Sequence, residues 1–101
     1  MPAVNCFCLQ AKMVERAALR YTPAGLAVQE LVLEHQSWQE EAEGQRLVNL
    51  RIQAVAMGVL AERLAHGNLG AALQCQGFLL SPRRGRSVVF HIQSFELLQE
   101  S

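Results

Sequence analysis

A chain of 101 residues, half of them apolar, can bury one hydrophobic core but not two. Lys and Arg together number nine, as do Asp and Glu, so net charge gives no global pull toward nucleic acid or membrane. Any phosphate binding must come from local segregation of charge, and the low-hydrophobicity, high-charge signature of disorder is absent. An apolar run of about 18 residues, enough to span a bilayer, is missing. The N-terminus also lacks the charged start, apolar run and cleavage site of a signal peptide. The expectation is a single soluble, cytoplasmic domain over residues 1–101, with its core from about 4 to 98. Cys6, Cys8 and Cys75 make an odd count, and the first two are too close to cross-link comfortably. They read as reduced thiols, because a metal site would want further ligands at spacings such as paired Cys-x-x-Cys. No metal or other cofactor is expected.

Val4 to Arg16 alternates with period two, placing Phe7, Leu9, Ala11 and Met13 on one face and Lys12 on the other. Pro23 and Gly25 then mark a turn. Leu26 to Gln39 resumes as a long strand, with Leu31, Leu33 and His35 inward and Glu30, Val32, Glu34, Gln36 and Trp38 outward. Residues 40–45 read as a short acidic loop ending in a turn. Arg46 to Met57 has Val48, Leu50, Ile52, Ala54 and Ala56 on one face, opposed by Leu47, Asn49, Arg51, Gln53 and Val55. Gly58 ends it, and Val59 to His66 shifts to helical spacing, with Val59, Leu60 and Leu64 on one side and Gly67 as C-terminal cap. Ala72 to Leu80 forms a fourth strand, residues 81–86 a basic hairpin loop, and Ser87 to Leu98 the last strand. The chain is thus all-β with one short helix, in the order β-β-β-α-β-β. That order fits a five-stranded OB-fold barrel, with a small α+β sandwich as the alternative.

Catalytic chemistry finds little support. There is no Gly-x-Ser-x-Gly elbow, phosphate-cradling Gly-rich loop or His-Glu-x-x-His. His35 and His91 read as hydrogen-bonded core residues, and His66 as a helix-closing imidazole near the negative end of the dipole. Positive charge is more informative. Arg83, Arg84 and Arg86 fall within one loop, which in an OB barrel overhangs the binding face and can contact successive phosphates. Such a loop is also often merely a soluble edge. Arg46, Arg51 and Asn49 come from or border the polar row of the third strand, while Lys12, Arg16 and Arg20 add positive charge along or just after the first. Single-strand binding also uses aromatic platforms. Phe7, Phe78, Phe90 and Phe95 have apolar settings that suit core packing. Trp38 stands apart, as a stacking platform or a subunit contact, with Tyr21 a weaker candidate.

Leu19-Arg20-Tyr21-Thr22-Pro23-Ala24-Gly25 leads into Leu31-Val32-Leu33-Glu34-His35-Gln36-Ser37 and then Glu40-Glu41-Ala42. Leu69-Gly70, Gly77-Phe78-Leu79 and Val89-Phe90-His91-Ile92 follow. In this order and spacing, from about Val4 to Leu98, the chain resembles the primosomal replication protein N family. The resemblance implies a non-catalytic, homodimeric OB-fold protein. It would bind single-stranded DNA and partner the primosomal helicase and other primosome proteins. Arg20, Arg46, Arg83, Arg84 and Arg86 match basic positions of the family's DNA site. Two departures stand out: Asn49 replaces a stacking Trp, and Gln36 replaces a basic residue. The last hairpin is also shorter, and Trp38 is a candidate to replace the missing ring in part.

Overall fold

The computed structural model describes residues 3–85 and 87–98. Seven elements follow in chain order: β1 (Phe7–Arg16), β2 (Arg20–Tyr21), β3 (Ala27–Glu41), β4 (Gly44–Met57), α1 (Val59–Ala65), β5 (Ala72–Leu80) and β6 (Val89–Leu97). The strands lie in the order β1-β5-β6-β4-β3-β2, and β1 also pairs β3, which closes the sheet into a ring. This is the OB-fold barrel. Five long strands build it, and the two-residue β2 continues the first of them along β3. Neighbours are antiparallel except β4 and β6, which run parallel through Ala54↔Phe90 and Val55↔His91.

β1 can serve two partners because it changes sides. Its first part pairs β5 from Phe7↔Gly77 to Lys12↔Ala72, and its second pairs β3 from Lys12↔Glu34 to Arg16↔Leu31. The register slips between Met13 and Glu15, and a bulge of this kind sharpens the local bend and twist.

The period-two alternation delivers the core. Leu9, Ala11 and Met13 meet Leu31, Leu33, Ala54, Ala56, Leu73, Cys75, Phe90 and Ile92 inside the ring, with Leu64 of α1 joining them. Phe7 packs its ring edge-on to Phe90 at 4.8 Å between centroids. Gly77 is where only glycine fits, since a Cβ there would collide with the carbonyl of His91 across the β5–β6 bulge.

Several expectations need correction. The acidic stretch 40–45 is mostly strand, with the turn at its middle rather than its end: β3 runs to Glu41 and β4 starts at Gly44, joined by Ala42 and Glu43, both at positive φ (51° and 65°). This two-residue hairpin turn carries neither Asn nor Gly, the residues that normally announce one. The helix buries Ala61 and Leu64, whereas Val59 is 72% exposed. Val59 directly follows the Gly58 turn (φ 73°), so the inward stripe begins a step later. The helix closes on His66, whose Nδ1 lies 2.7 Å from the Glu62 carbonyl oxygen, and Gly67 is not left-handed. Phe78 and His91, expected in the core, are half-buried and stack on each other at 5.0 Å with a 9° interplanar angle. Both lie outward by strand alternation, Phe78 between the inward Gly77 and Leu79 of β5 and His91 between the inward Phe90 and Ile92 of β6.

Candidate nucleic-acid interface

The unbroken register of β3 with β4 builds a long two-stranded surface. Its outward face carries the pairs Val32↔Gln53, Glu34↔Arg51, Gln36↔Asn49 and Trp38↔Leu47. Partners directly opposite share a face, and alternate residues continue it. Arg51 sits at its centre. Its Nε donates to Glu34 Oε2 at 2.9 Å and its Nη1 to Glu15 Oε2 at 3.1 Å. The hydrogen bond and charge of Glu34, then those of Glu15, push the Arg51 pKa further up.

Arg20 pairs similarly with Glu30, Nε to Oε2 at 3.7 Å. Arg46 does not belong to this face. It stands opposite Gln39 on the side of Val48 and Leu50, where it pairs with Glu41. Even numbering along β4 puts it there, so its place beside Asn49 and Arg51 in sequence separates the side chains rather than grouping them.

Lys12 is exposed and marks the point where β1 passes from β5 to β3. It lines a surface depression of about 440 Å³ with Glu34, His35 and Gln36. His35 is fixed there: Nδ1 lies 2.6 Å from the Gln10 carbonyl oxygen, and Nε2 lies 2.7 Å from Ser37 Oγ. The hydrogen bonding read from the strand pattern is therefore present, but His35 is half-buried rather than a core residue.

The 81–88 loop folds toward β4. Arg84, Pro82 and Ser87 form one wall of an open groove of about 620 Å³, and Leu50, Arg51 and Gln53 form another. Arg84 and Arg51, distant in sequence, thus share a groove. Arg83 is exposed but does not line it, and Arg86 lies outside the described residues. Among the described residues, Lys12, Arg83 and Arg84 have no carboxylate within ion-pair distance.

Trp38 is 65% exposed, on the face of Arg51 and four residues along β3 from Glu34, about 13 Å at the usual strand rise. Tyr21 is also exposed, beside the Thr22–Leu26 turn. The carboxylates of Glu15 and Glu34 were not recognisable as partners of Arg51 from spacing alone. The one available signal was the in-register pairing of two long alternating strands, which sets Glu34 opposite Arg51 once the tight turn is known.

A closed ring plugged by one helix, with a charged loop overhanging a β hairpin, defines the OB-fold class. The family model that matches, over residues 5–94, is described as another single-strand binding protein family. The replication restart protein PriB of Bordetella pertussis is 45% identical over 91 residues, covering 89% of this chain and 85% of that one. The structure of priB from Ralstonia solanacearum superposes with a TM-score of 0.87 at 36% identity, covering 96% of this chain and 100% of that one. The single-stranded DNA binding protein from Thermus aquaticus shares the fold, with a TM-score of 0.76 at 24% identity over 95% of this chain and 50% of that one. The chain belongs to the PriB family of replication restart proteins.

Proposed function

We propose that this chain binds single-stranded DNA along the β3–β4 face and the 81–88 loop, as an accessory protein of replication restart that stabilises the primosomal helicase on DNA. The observation that carries this reading is the groove in which Arg84 of the loop stands beside Arg51 of β4. Arg83, Arg84 and, from the sequence, Arg86 supply phosphate contacts. Lys12, Arg20 and Arg51 flank the path. Trp38 offers its exposed ring to a base further along the hairpin. Arg46, on the opposite face, contributes least. Residues of both chemistries suit single strands, where phosphates confer salt-dependent affinity and exposed rings stack on bases.

The functional unit is a homodimer. β1 has no strand paired to its second edge from Phe7 to Ala11 among the described residues, and such an edge is open to pairing with another copy. The test is a fluorescence titration with oligo(dT) of several lengths at two salt concentrations, with Trp38 as the reporter. Binding that weakens steeply with salt is the expected result.

One observation favours a second reading, in which the chain is an interaction module for primosome proteins with weak DNA binding. Arg20, Arg46 and Arg51 each already hold a carboxylate. Failure to bind oligo(dT) at low salt, with capture of the helicase retained, would establish that reading instead.

A further inference from the structure

The outward β3–β4 face holds a second depression beside the groove of Arg51 and Arg84. It measures about 380 Å³, and Val32, Gln53, Val55 and Val89 line it. Gln53 and Val89 line both depressions, so the two form one channel across the barrel. The fold places that junction. Gln53 and Val89 each immediately precede a member of the Ala54↔Phe90 rung, where β4 and β6 run parallel.

The two halves of the channel differ in chemistry. Arg51 and Arg84 line the first. Glu15 and Glu30 border the second, each already paired with an arginine, Arg51 and Arg20 respectively. Arg16 also borders it, but its guanidinium donates to the Leu64 and Gly67 carbonyl oxygens at 2.9 and 2.6 Å. Among the described residues, a phosphate therefore finds no uncommitted cation in this half. The three valines suit the apolar face of a base instead, and the volume lies within the range of about 300–1,000 Å³ typical of small-ligand clefts.

Gln53 supplies the polar contact. It is exposed, and among the described residues its amide enters no side-chain hydrogen bond, whereas Gln10 and Gln74 hold each other and Gln29 holds backbone oxygens. A glutamine amide sets donors beside an acceptor. Every base offers the complement on its pairing edge, so that edge does not discriminate. The edge that faces the major groove of a duplex does. There guanine offers two acceptors, cytosine a donor, and thymine an acceptor beside its methyl, while adenine alone sets the N6 donor beside the N7 acceptor. Adenine can thus dock on the amide by either edge. Carboxylates at the rim further favour a base that presents an amine.

Resting on the single-strand reading above, we propose that Gln53 and the valines around it form a base subsite that prefers adenine.

The test is an anisotropy titration of the full chain with labelled dT oligonucleotides carrying a single dA, moved along the strand one position at a time. At its best position dA should tighten binding about fivefold over dT, the low end of what a bidentate base contact discriminates. A 7-deaza-dA there lacks the N7 acceptor and should bind like dT, a measurement that needs no variant. Gln53→Ala should bind the dA and dT strands with equal affinity and keep the parent's salt slope, because no charge is removed. No gain at any position, a 7-deaza base that keeps the gain, or an Ala variant that keeps it would each overturn the proposal. Failure to bind any of the strands would sink the single-strand reading with it, whereas equal binding of them all overturns the adenine preference alone.

Discussion

On the β3–β4 face, Arg51 holds Glu15 and Glu34, and Arg20 holds Glu30. On the 81–88 loop, Arg83 and Arg84 have no carboxylate within ion-pair distance among the described residues. The two regions carry the same guanidinium chemistry in different states of readiness. An anion arriving at the strands must displace a carboxylate, whereas one arriving at the loop displaces only water and counterions. Exposed ion pairs of the first kind are weak and screened by salt, so displacement is feasible but not free. A neutral chain can thus still present a local positive field, provided its loop is left unmatched.

The sharpest way to break this comparison is to neutralise the loop. Replacing Arg83, Arg84 and Arg86 together with Ala should weaken oligo(dT) binding by roughly a hundredfold at low salt. It should also flatten the log–log salt slope by about 2, the release expected for three phosphate contacts on a single strand. An unchanged slope would place the phosphate contacts elsewhere.

Trp38→Ala comes next and tests stacking rather than charge. A base on an exposed ring contributes about 1–3 kcal/mol, so a loss of roughly tenfold with an unaltered salt slope is expected in an anisotropy titration with labelled oligo(dT). No loss would leave the ring to a protein contact. The smallest effect sharpens the contrast most. Glu34→Gln removes a carboxylate from Arg51 and should tighten binding by roughly two- to fivefold at low salt, with the gain vanishing as salt screens the face. Weaker binding in that variant would mean that Glu34 positions Arg51 rather than competing for it.

Much of this architecture was legible beforehand because alternation is a local property. The inward rows of β1, β3 and β4 follow directly from the period of two, and β5 spans the same residues, Ala72–Leu80, in sequence and structure. What escaped depends on contacts across strands. Ala42 and Glu43 adopt positive φ with neither position a glycine or asparagine, so the sequence does not mark the tight two-residue turn. Phe78 and His91 follow the alternation onto the outward rows of β5 and β6, where they stack on each other, although their apolar neighbours suggested a core setting. Arg46 lies close to Asn49 and Arg51 in sequence, yet its alternation and its register with Gln39 put it on the other face. The ion pairs of Arg51 join β1, β3 and β4, so no spacing within one strand reveals them.

The ring closes at two seams of unequal length. β1 meets β3 through four residue pairs, whereas β4 meets β6 through only two, Ala54↔Phe90 and Val55↔His91. The 81–88 loop leads straight into that shorter seam, and its groove is walled by residues immediately preceding it on β4. A ligand that grips the loop and β4 together therefore acts as a clasp on the least-buttoned part of the barrel. Occupancy and resistance to unzipping become one quantity, because whatever binds only the closed ring opposes its opening in proportion to its affinity.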